Sequence, residues 1–83
     1  MIKIYGSMFC PDCVRCRKDL DGAGVKYEYL DFGDSLWNLK CFLDLRDHHP
    51  AFEEVRKQGK IGIPCIVGED GTVCLDWQAL LKD

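Results

Sequence analysis

Residues 1–32, MIKIYGSMFCPDCVRCRKDLDGAGVKYEYLDF, decide the fold because they predict a strand, a helix and a second strand in close succession. Residues 1–6 favour a strand, since isoleucine and tyrosine suit a pleated sheet and a glycine ends the run. A helix is predicted over about residues 13–20 or from slightly earlier, with a proline at its first turn and glycines after it. Residues 25–32 alternate well enough to predict a second strand. Because a helix joins the two strands within about 30 residues, they form a βαβ unit and should be parallel.

The rest of the chain continues the pattern of an α/β domain. Pro50 should interrupt the second helix, and Asp70-Gly71 favours a hairpin between the last two strands. The predicted elements are a helix capped by Ser35 and running to about Arg46, with apolar residues at helical spacing (Leu36, Leu39, Phe42 and Leu43), a helical turn or two at 51–57, an apolar strand at 61–67, a strand at 72–75 and a short helix at 77–81. The order is βαβα(α)ββα, within one domain of residues 1–83.

Composition and charge exclude several classes of function. The 83 residues are 47 % hydrophobic and 30 % charged, which is typical of a soluble globular domain. The formal net charge is −3, and the densest basic stretch, residues 15–18, is followed at once by Asp19 and Asp21, so we expect a solvated helix face and no nucleic-acid partner. The chain opens without a signal-peptide pattern and has no apolar run of about 20 residues. We therefore expect a cytoplasmic monomer with no membrane partner.

The motif Cys10-Pro11-Asp12-Cys13 lies where the first strand ends and the first helix begins. The thiolate is the reactive form of cysteine, and the free N–H groups and dipole of a helix N-terminus stabilise an anion. A two-residue spacer lets the second thiol attack a mixed disulfide formed at the first. Cys10 is thus predicted to be the exposed nucleophile and Cys13 the more buried resolving thiol, while Asp12 opposes a second negative charge slightly.

Cys16 extends the motif to C-x-x-C-x-x-C and opens an alternative. Zinc or an iron–sulfur cluster needs four ligands, and Cys65, Cys74 or a histidine could supply the last. However, the chain has no second C-x-x-C pair, so redox chemistry is the leading hypothesis and metal binding the alternative. A non-catalytic interaction module and an arsenate-reductase-like or transferase role that uses one cysteine also remain open. Cys16, Cys41 and Cys65 are predicted mainly to pack in the interior.

Ile63-Pro64 is the second pattern that bears on function. A proline at the entry to an apolar strand removes a donor of the sheet, so strand packing explains it poorly. A cis peptide bond beside the two thiols would explain it, because the main chain of Ile63 would then be free to pair with an extended substrate.

Cys-Pro-x-Cys with a later Ile-Pro resembles the glutaredoxins, a branch of the thioredoxin-like superfamily, and the resemblance covers essentially the whole chain. It implies a thioredoxin-like (glutaredoxin-type) fold, with a four-stranded mixed sheet in the order 2-1-3-4 and helices on both faces. It also implies that Cys10 is the nucleophile, Cys13 the resolving thiol and Pro64 a cis-proline. The backbone of Ile63 would align the cysteine of the substrate.

The sequence departs from the glutaredoxin pattern around the glutathione site. Asp12 replaces a typical tyrosine, and residues 74–77 (CLDW) replace a Gly-Gly pair followed by Asp, of which Asp76 keeps the amine-binding position. No Lys or Arg lies in the loop just before Cys10, although Gln58 and Lys60 lie near where a partner of a glutathione carboxylate often sits. The dithiol chemistry therefore carries over more fully than glutathione binding.

These features together predict a disulfide oxidoreductase for protein or small-molecule disulfides. We expect no bound cofactor or metal, and a reductase or glutathione as the electron donor, with glutathione acting as a co-substrate. The predicted substrate-binding residues beside the catalytic pair Cys10 and Cys13 are Phe9, Pro11, Asp12, Ile63, Pro64 and Asp76.

Overall fold

Four short strands form one mixed sheet in the order β2-β1-β3-β4, in a computed structural model that describes residues 1–81. The strands are β1 (Ile2–Gly6), β2 (Tyr27–Asp31), β3 (Cys65–Val67) and β4 (Val73–Cys74). β1 pairs in parallel with β2, whereas β3 runs antiparallel to both β1 and β4. The predicted βαβ unit, the hairpin and the strand order are confirmed.

The described helices are α1 (Pro11–Gly22), α2 (Leu36–His48) and α3 (Glu53–Gln58), with 3-10 turns at Pro50–Phe52 and Trp77–Leu81. Ser35 caps α2 as predicted, since its hydroxyl accepts the Trp37 N–H at 3.1 Å. The helix α1 runs two residues beyond the predicted end. It stops where Gly24 adopts a φ of +72°, a left-handed conformation that glycine tolerates.

Side-chain alternation along β1 divides the core between the two faces of the sheet. Ile4 packs with Cys16 and Leu20 of α1 on one face. Tyr5 faces the other way, into a cluster that Phe42 of α2 and Phe52 dominate. The rings of Phe42 and Phe52 meet edge to face with centroids 5.8 Å apart. The molecule is therefore an α/β domain with helices on both sides of a mixed sheet.

The third strand is shorter than predicted. The sequence predicts a strand over 61–67, but β3 begins at Cys65. Gly62 has a φ of +91°, which is outside the extended region, and Pro64 has no N–H to offer a neighbouring strand. Residues 60–64 therefore form a loop that leads into β3. The last strand is likewise limited to two residues, and the predicted helix at 77–81 is a 3-10 helix.

The apolar stripe predicted for α2 is only partly buried. Phe42 is fully buried and Leu39 packs against the same cluster, but Leu36 is 79 % exposed and Leu43 is 40 % exposed. The helix rests on the sheet along the line of Leu39, Phe42 and Leu45, at a spacing of three residues. Leu43 lies about 100° round the helix from Phe42 and faces solvent. Leu36 continues the spacing of three, but it is the first residue of α2 and also stays exposed.

Candidate active site

Cys10 occupies the N-cap position of α1, at the end of a tight loop that leaves β1. Its N–H donates to the Ser7 carbonyl at 3.1 Å, and its own carbonyl accepts the Val14 N–H at 3.1 Å. Pro11 is the first helical residue, as predicted. The Cys10 thiol is partly exposed, and its side chain does not cap the helix, so it is open to a ligand. At this position the helix dipole favours an anion.

Cys13 lies one turn further along α1 and is fully buried. Burial raises the pKa of its thiol to about 12, and Cys10 adds to the effect. The Ser7 main chain and the Tyr29 hydroxyl act in the opposite direction, because both favour a Cys13 thiolate. Cys13 therefore stays protonated at neutral pH. The predicted contrast between an accessible Cys10 and a buried Cys13 is confirmed.

Gly6 lets the buried thiol approach the sheet. A Cβ atom at this position would lie 2.8 Å from Cys13 Sγ and 2.6 Å from Tyr29 Oη, and both distances are shorter than a Cβ atom approaches a non-bonded atom. Both side chains therefore occupy the space that any other residue at position 6 would fill.

A groove of about 700 Å³ lies beside Cys10 and is open to solvent. Its lining is largely apolar, and it includes five of the predicted substrate-binding residues. The lining residues are Ser7, Phe9, Cys10, Pro11, Asp12, Val55, Gly59, Lys60, Ile61, Gly62, Ile63, Pro64 and Leu75. Phe9 is 87 % exposed, so its ring forms a rim of the groove rather than part of the core.

The Ile63–Pro64 peptide bond is cis, as predicted, and both residues line the groove with Cys10. Within residues 1–81 the main-chain N–H and C=O of Ile63 have no hydrogen-bond partner. These two groups are therefore available to an extended ligand, because an unpaired backbone edge can accept a further strand.

Arg46 holds the loop that carries this edge, and the sequence alone does not reveal it. Its Nε donates to the carbonyls of Lys60 and Ile61 at 3.2 and 3.0 Å. Arg56 in turn donates to the Arg46 carbonyl at 2.7 Å. The planar guanidinium suits this bridging of successive carbonyls. Arg46 lies in the last turn of α2, so its hydrogen bonds join this helix to the groove wall.

Asp31 holds the opposite loop, which leads to Cys10. The carboxylate is only 7 % exposed and accepts the Met8 N–H at 3.1 Å and the Gly33 N–H at 2.7 Å. Hydrogen bonds to an ionised acceptor are stronger than neutral ones. Asp31 ends β2, so it ties this strand to the loop before the two thiols.

Replacing Asp31 with asparagine should lower the free energy of unfolding by roughly 1.5 kcal/mol, because an amide offers one acceptor where two N–H groups need partners. Urea denaturation followed by circular dichroism measures this change. Asp34→Asn, which alters an exposed carboxylate three residues away, is the matched control and should have little effect. Equal stability of the Asp31 variant and the unmodified protein would contradict the role of Asp31.

Other predicted site residues lie elsewhere. The Asp76 carboxylate is not part of the groove lining; it accepts the Gln78 N–H at 3.0 Å at the start of the last 3-10 helix. Gln58 ends α3 outside the groove lining, whereas Lys60 lines it. Cys16 and Cys65 are buried in the clusters on opposite faces of the sheet, and Cys41 is only half-buried.

No metal-binding cluster is preformed in residues 1–81: nowhere in this part of the chain do three or more His, Cys, Asp or Glu side chains come close enough to hold an ion. His48 ends α2 and His49 follows it, where the Nδ1 of His49 accepts the Ala51 N–H at 3.1 Å. Within residues 1–81, no helix combines the length and the apolar character that crossing a membrane requires.

Comparison with known proteins places the chain in a family. An "uncharacterized protein" of Haemophilus influenzae strain Rd is 38 % identical over 71 residues, which cover 86 % of this chain and 83 % of that protein. The chain belongs to the family of that protein. No family model matches the sequence, and no solved structure matches it. The name of that relative states no activity.

Proposed function

We propose that this protein is a thiol–disulfide oxidoreductase of thioredoxin-like, glutaredoxin-type architecture, with Cys10 as nucleophile and Cys13 as resolving thiol. One observation carries the proposal: a partly exposed thiol at a helix N-terminus shares a groove with an unpaired backbone edge, and a second thiol is buried one turn behind it. The sheet order, the position of the dithiol and the cis-proline before β3 support the fold assignment.

The reaction follows from the unequal environments of the two thiols. The Cys10 thiolate attacks one sulfur of a substrate disulfide, which forms a mixed disulfide and releases the first substrate thiolate. Cys13 then loses its proton and attacks Cys10 Sγ. The Cys10–Cys13 disulfide forms, the bond from Cys10 to the substrate breaks, and the second substrate thiolate takes up a proton. Two electrons pass from the dithiol to the substrate, and a reductase or two molecules of glutathione must return them.

The groove favours an extended peptide next to the reacting disulfide. Its apolar wall, formed by Phe9, Ile61 and Leu75, would contact side chains, and the Ile63 main chain would hydrogen-bond the substrate backbone. Lys60 is the basic residue of this lining, which gives the carboxylates of glutathione one partner. Protein disulfides are thus the better-supported substrates, and a reductase the better-supported electron donor.

Replacing Cys13 with serine should stop the reaction at the mixed disulfide, because the first step needs only Cys10. Incubation of this variant with a disulfide-linked peptide should yield a covalent adduct, and peptide mapping by mass spectrometry should place it on Cys10. Cys16→Ser, which removes a buried thiol one turn further along α1, is the matched control and should accumulate no adduct.

The electron donor is identified by a turnover assay on the unmodified protein. The disulfide-linked peptide is supplied together with either glutathione or a thioredoxin-type reductase and its cofactor. We expect turnover with the reductase and little with glutathione. Failure of the Cys13 variant to form any adduct on Cys10 would refute the proposed function.

A further inference from the structure

The Tyr29 hydroxyl is a polar group without a partner in the interior. In the described part of the chain, its oxygen is buried and no donor or acceptor meets it with normal hydrogen-bond geometry. Buried polar groups in folded proteins are nearly always paired, and an unpaired one calls for an explanation. The sheet fixes the backbone position of Tyr29, because this residue lies on β2 directly opposite Ile4 of the parallel strand β1.

The group that the hydroxyl faces is Cys13 Sγ. Both atoms crowd the space above Gly6, at 2.6 and 2.8 Å from the point where a Cβ would lie. A neutral thiol is a weak hydrogen-bond acceptor, whereas a thiolate is a charged and much stronger one. The hydroxyl therefore has a poor partner while Cys13 is protonated and a good one once Cys13 ionises.

The aromatic ring of Tyr29 contacts a second residue of α1. The guanidinium carbon of Arg17 lies 4.2 Å from the centre of the Tyr29 ring, within the range of a cation–π contact. Arg17 is one helical turn beyond Cys13 on α1, so the helix that carries the thiol also fixes the ring. The charged groups around the pair are Arg17 and Asp31, and Cys10 is its other titratable neighbour.

We propose that the Tyr29 hydroxyl donates a hydrogen bond to the Cys13 thiolate and so sets the rate at which Cys13 resolves the mixed disulfide on Cys10. This inference rests on the proposed function, since it assigns a residue to the second of its two steps. It applies only to that step, because the hydroxyl lies beside Cys13 and outside the groove.

The proton balance makes Tyr29 a donor and not a base. Burial raises the pKa of the Tyr29 hydroxyl, and the neighbouring Cys13 raises it further, so the hydroxyl keeps its proton throughout the reaction. The proton of Cys13 passes to solvent, and the leaving substrate thiolate takes one up. The hydrogen bond lowers the cost of the transient Cys13 thiolate, and it is released when the Cys10–Cys13 disulfide forms.

The test separates the two steps with dithiobis(nitrobenzoate), an aromatic disulfide that releases a coloured thiolate each time one of its sulfurs departs. Attack by Cys10 releases the first equivalent and attack by Cys13 the second. Serines at positions 41 and 74 remove the other two partly exposed thiols. In this background Tyr29→Phe should slow the second release about threefold at every pH below the pKa of Cys13 and leave the first unchanged. A rise of about one unit in that pKa lowers the thiolate fraction about tenfold, and the greater nucleophilicity of the more basic thiolate recovers roughly threefold of the loss.

Tyr27→Phe is the matched control. Tyr27 lies on the same strand and packs in the same cluster, but its hydroxyl donates to the Asp21 carboxylate at 2.7 Å and is not among the groups that act on the Cys13 thiol. This variant should show both releases at the unmodified rates, and thermal melting should show both variants folded. If Tyr29→Phe leaves the second release unchanged, or slows both releases alike, the inference is wrong while the proposed function stands. If the unmodified protein releases no second equivalent, both fail.

Discussion

Replacing Cys10 with serine is expected to lower the rate of disulfide reduction on the order of 10³-fold or more, since loss of a nucleophile leaves only binding to promote the reaction. A serine hydroxyl at this position stays un-ionised at neutral pH and cannot form a disulfide with the substrate. The fold should be unaffected, because Cys10 is partly exposed and its side chain does not cap α1. Steady-state reduction of a disulfide-linked peptide, with excess reductant, measures the effect.

Cys41→Ser is the matched control for this experiment. Cys41 is also partly exposed, but it lies on α2 and outside the groove lining. Its replacement should leave the rate unchanged. Full activity in the Cys10 variant would show that the nucleophile is another group and would overturn the proposed mechanism.

Replacing Gly6 with alanine is expected to lower the free energy of unfolding by about 3 kcal/mol, the upper end of the usual cost of overpacking a core. The added methyl would lie within 3 Å of both Tyr29 Oη and Cys13 Sγ, so both side chains would have to shift, and Cys13 is fully buried. A domain of this size has a total stability of only a few kcal/mol, so a large unfolded fraction should appear at physiological temperature. Urea denaturation followed by circular dichroism gives the change.

Gly22→Ala separates this steric effect from the general effect of replacing glycine. Gly22 ends α1, and nothing lies within 4 Å of a Cβ there. Alanine at that position should stabilise the helix by roughly 0.5–1 kcal/mol. If Gly6→Ala proves as stable as the unmodified protein, Cys13 and Tyr29 are not as tightly packed against β1 as the structure describes.

Local patterns in the sequence were enough for the framework of the molecule. Alternating apolar residues mark β1 and β2, a proline and an acidic residue mark the start of α1, and Asp70-Gly71 marks the hairpin. The same patterns place Cys10 at a helix N-terminus, with Cys13 buried one turn behind it. These features depend on residues a few positions apart, and short-range sterics and hydrogen bonding decide them.

Other predictions were wrong where short-range rules meet tertiary contacts. The strand predicted over 61–67 starts only at Cys65, because Gly62 and Pro64 interrupt it and the carbonyls of Lys60 and Ile61 bond to Arg46. Leu36 has the spacing of a core residue but faces solvent, since it is the first residue of α2 and only the later residues of that spacing pack on the cluster. Gly62 and Pro64 lie within the predicted strand, but Arg46 lies 15 residues before Ile61, and the sheet that leaves Leu36 uncovered is formed by distant segments.

The C-x-x-C pair was thus determined by the sequence alone, as were its place at the start of α1 and the unequal exposure of its two thiols. The supporting groups were decided only by the tertiary structure: Asp31 reaches Met8 across 23 residues of chain, Arg46 reaches Ile61 across 15, and Tyr29 meets Cys13 through the gap above Gly6. Each of these groups is polar and lies in or beside a core element, where periodicity predicts only burial. Its chemical role depends on which atom the fold brings next to it, and strand pairing and helix packing settle that together.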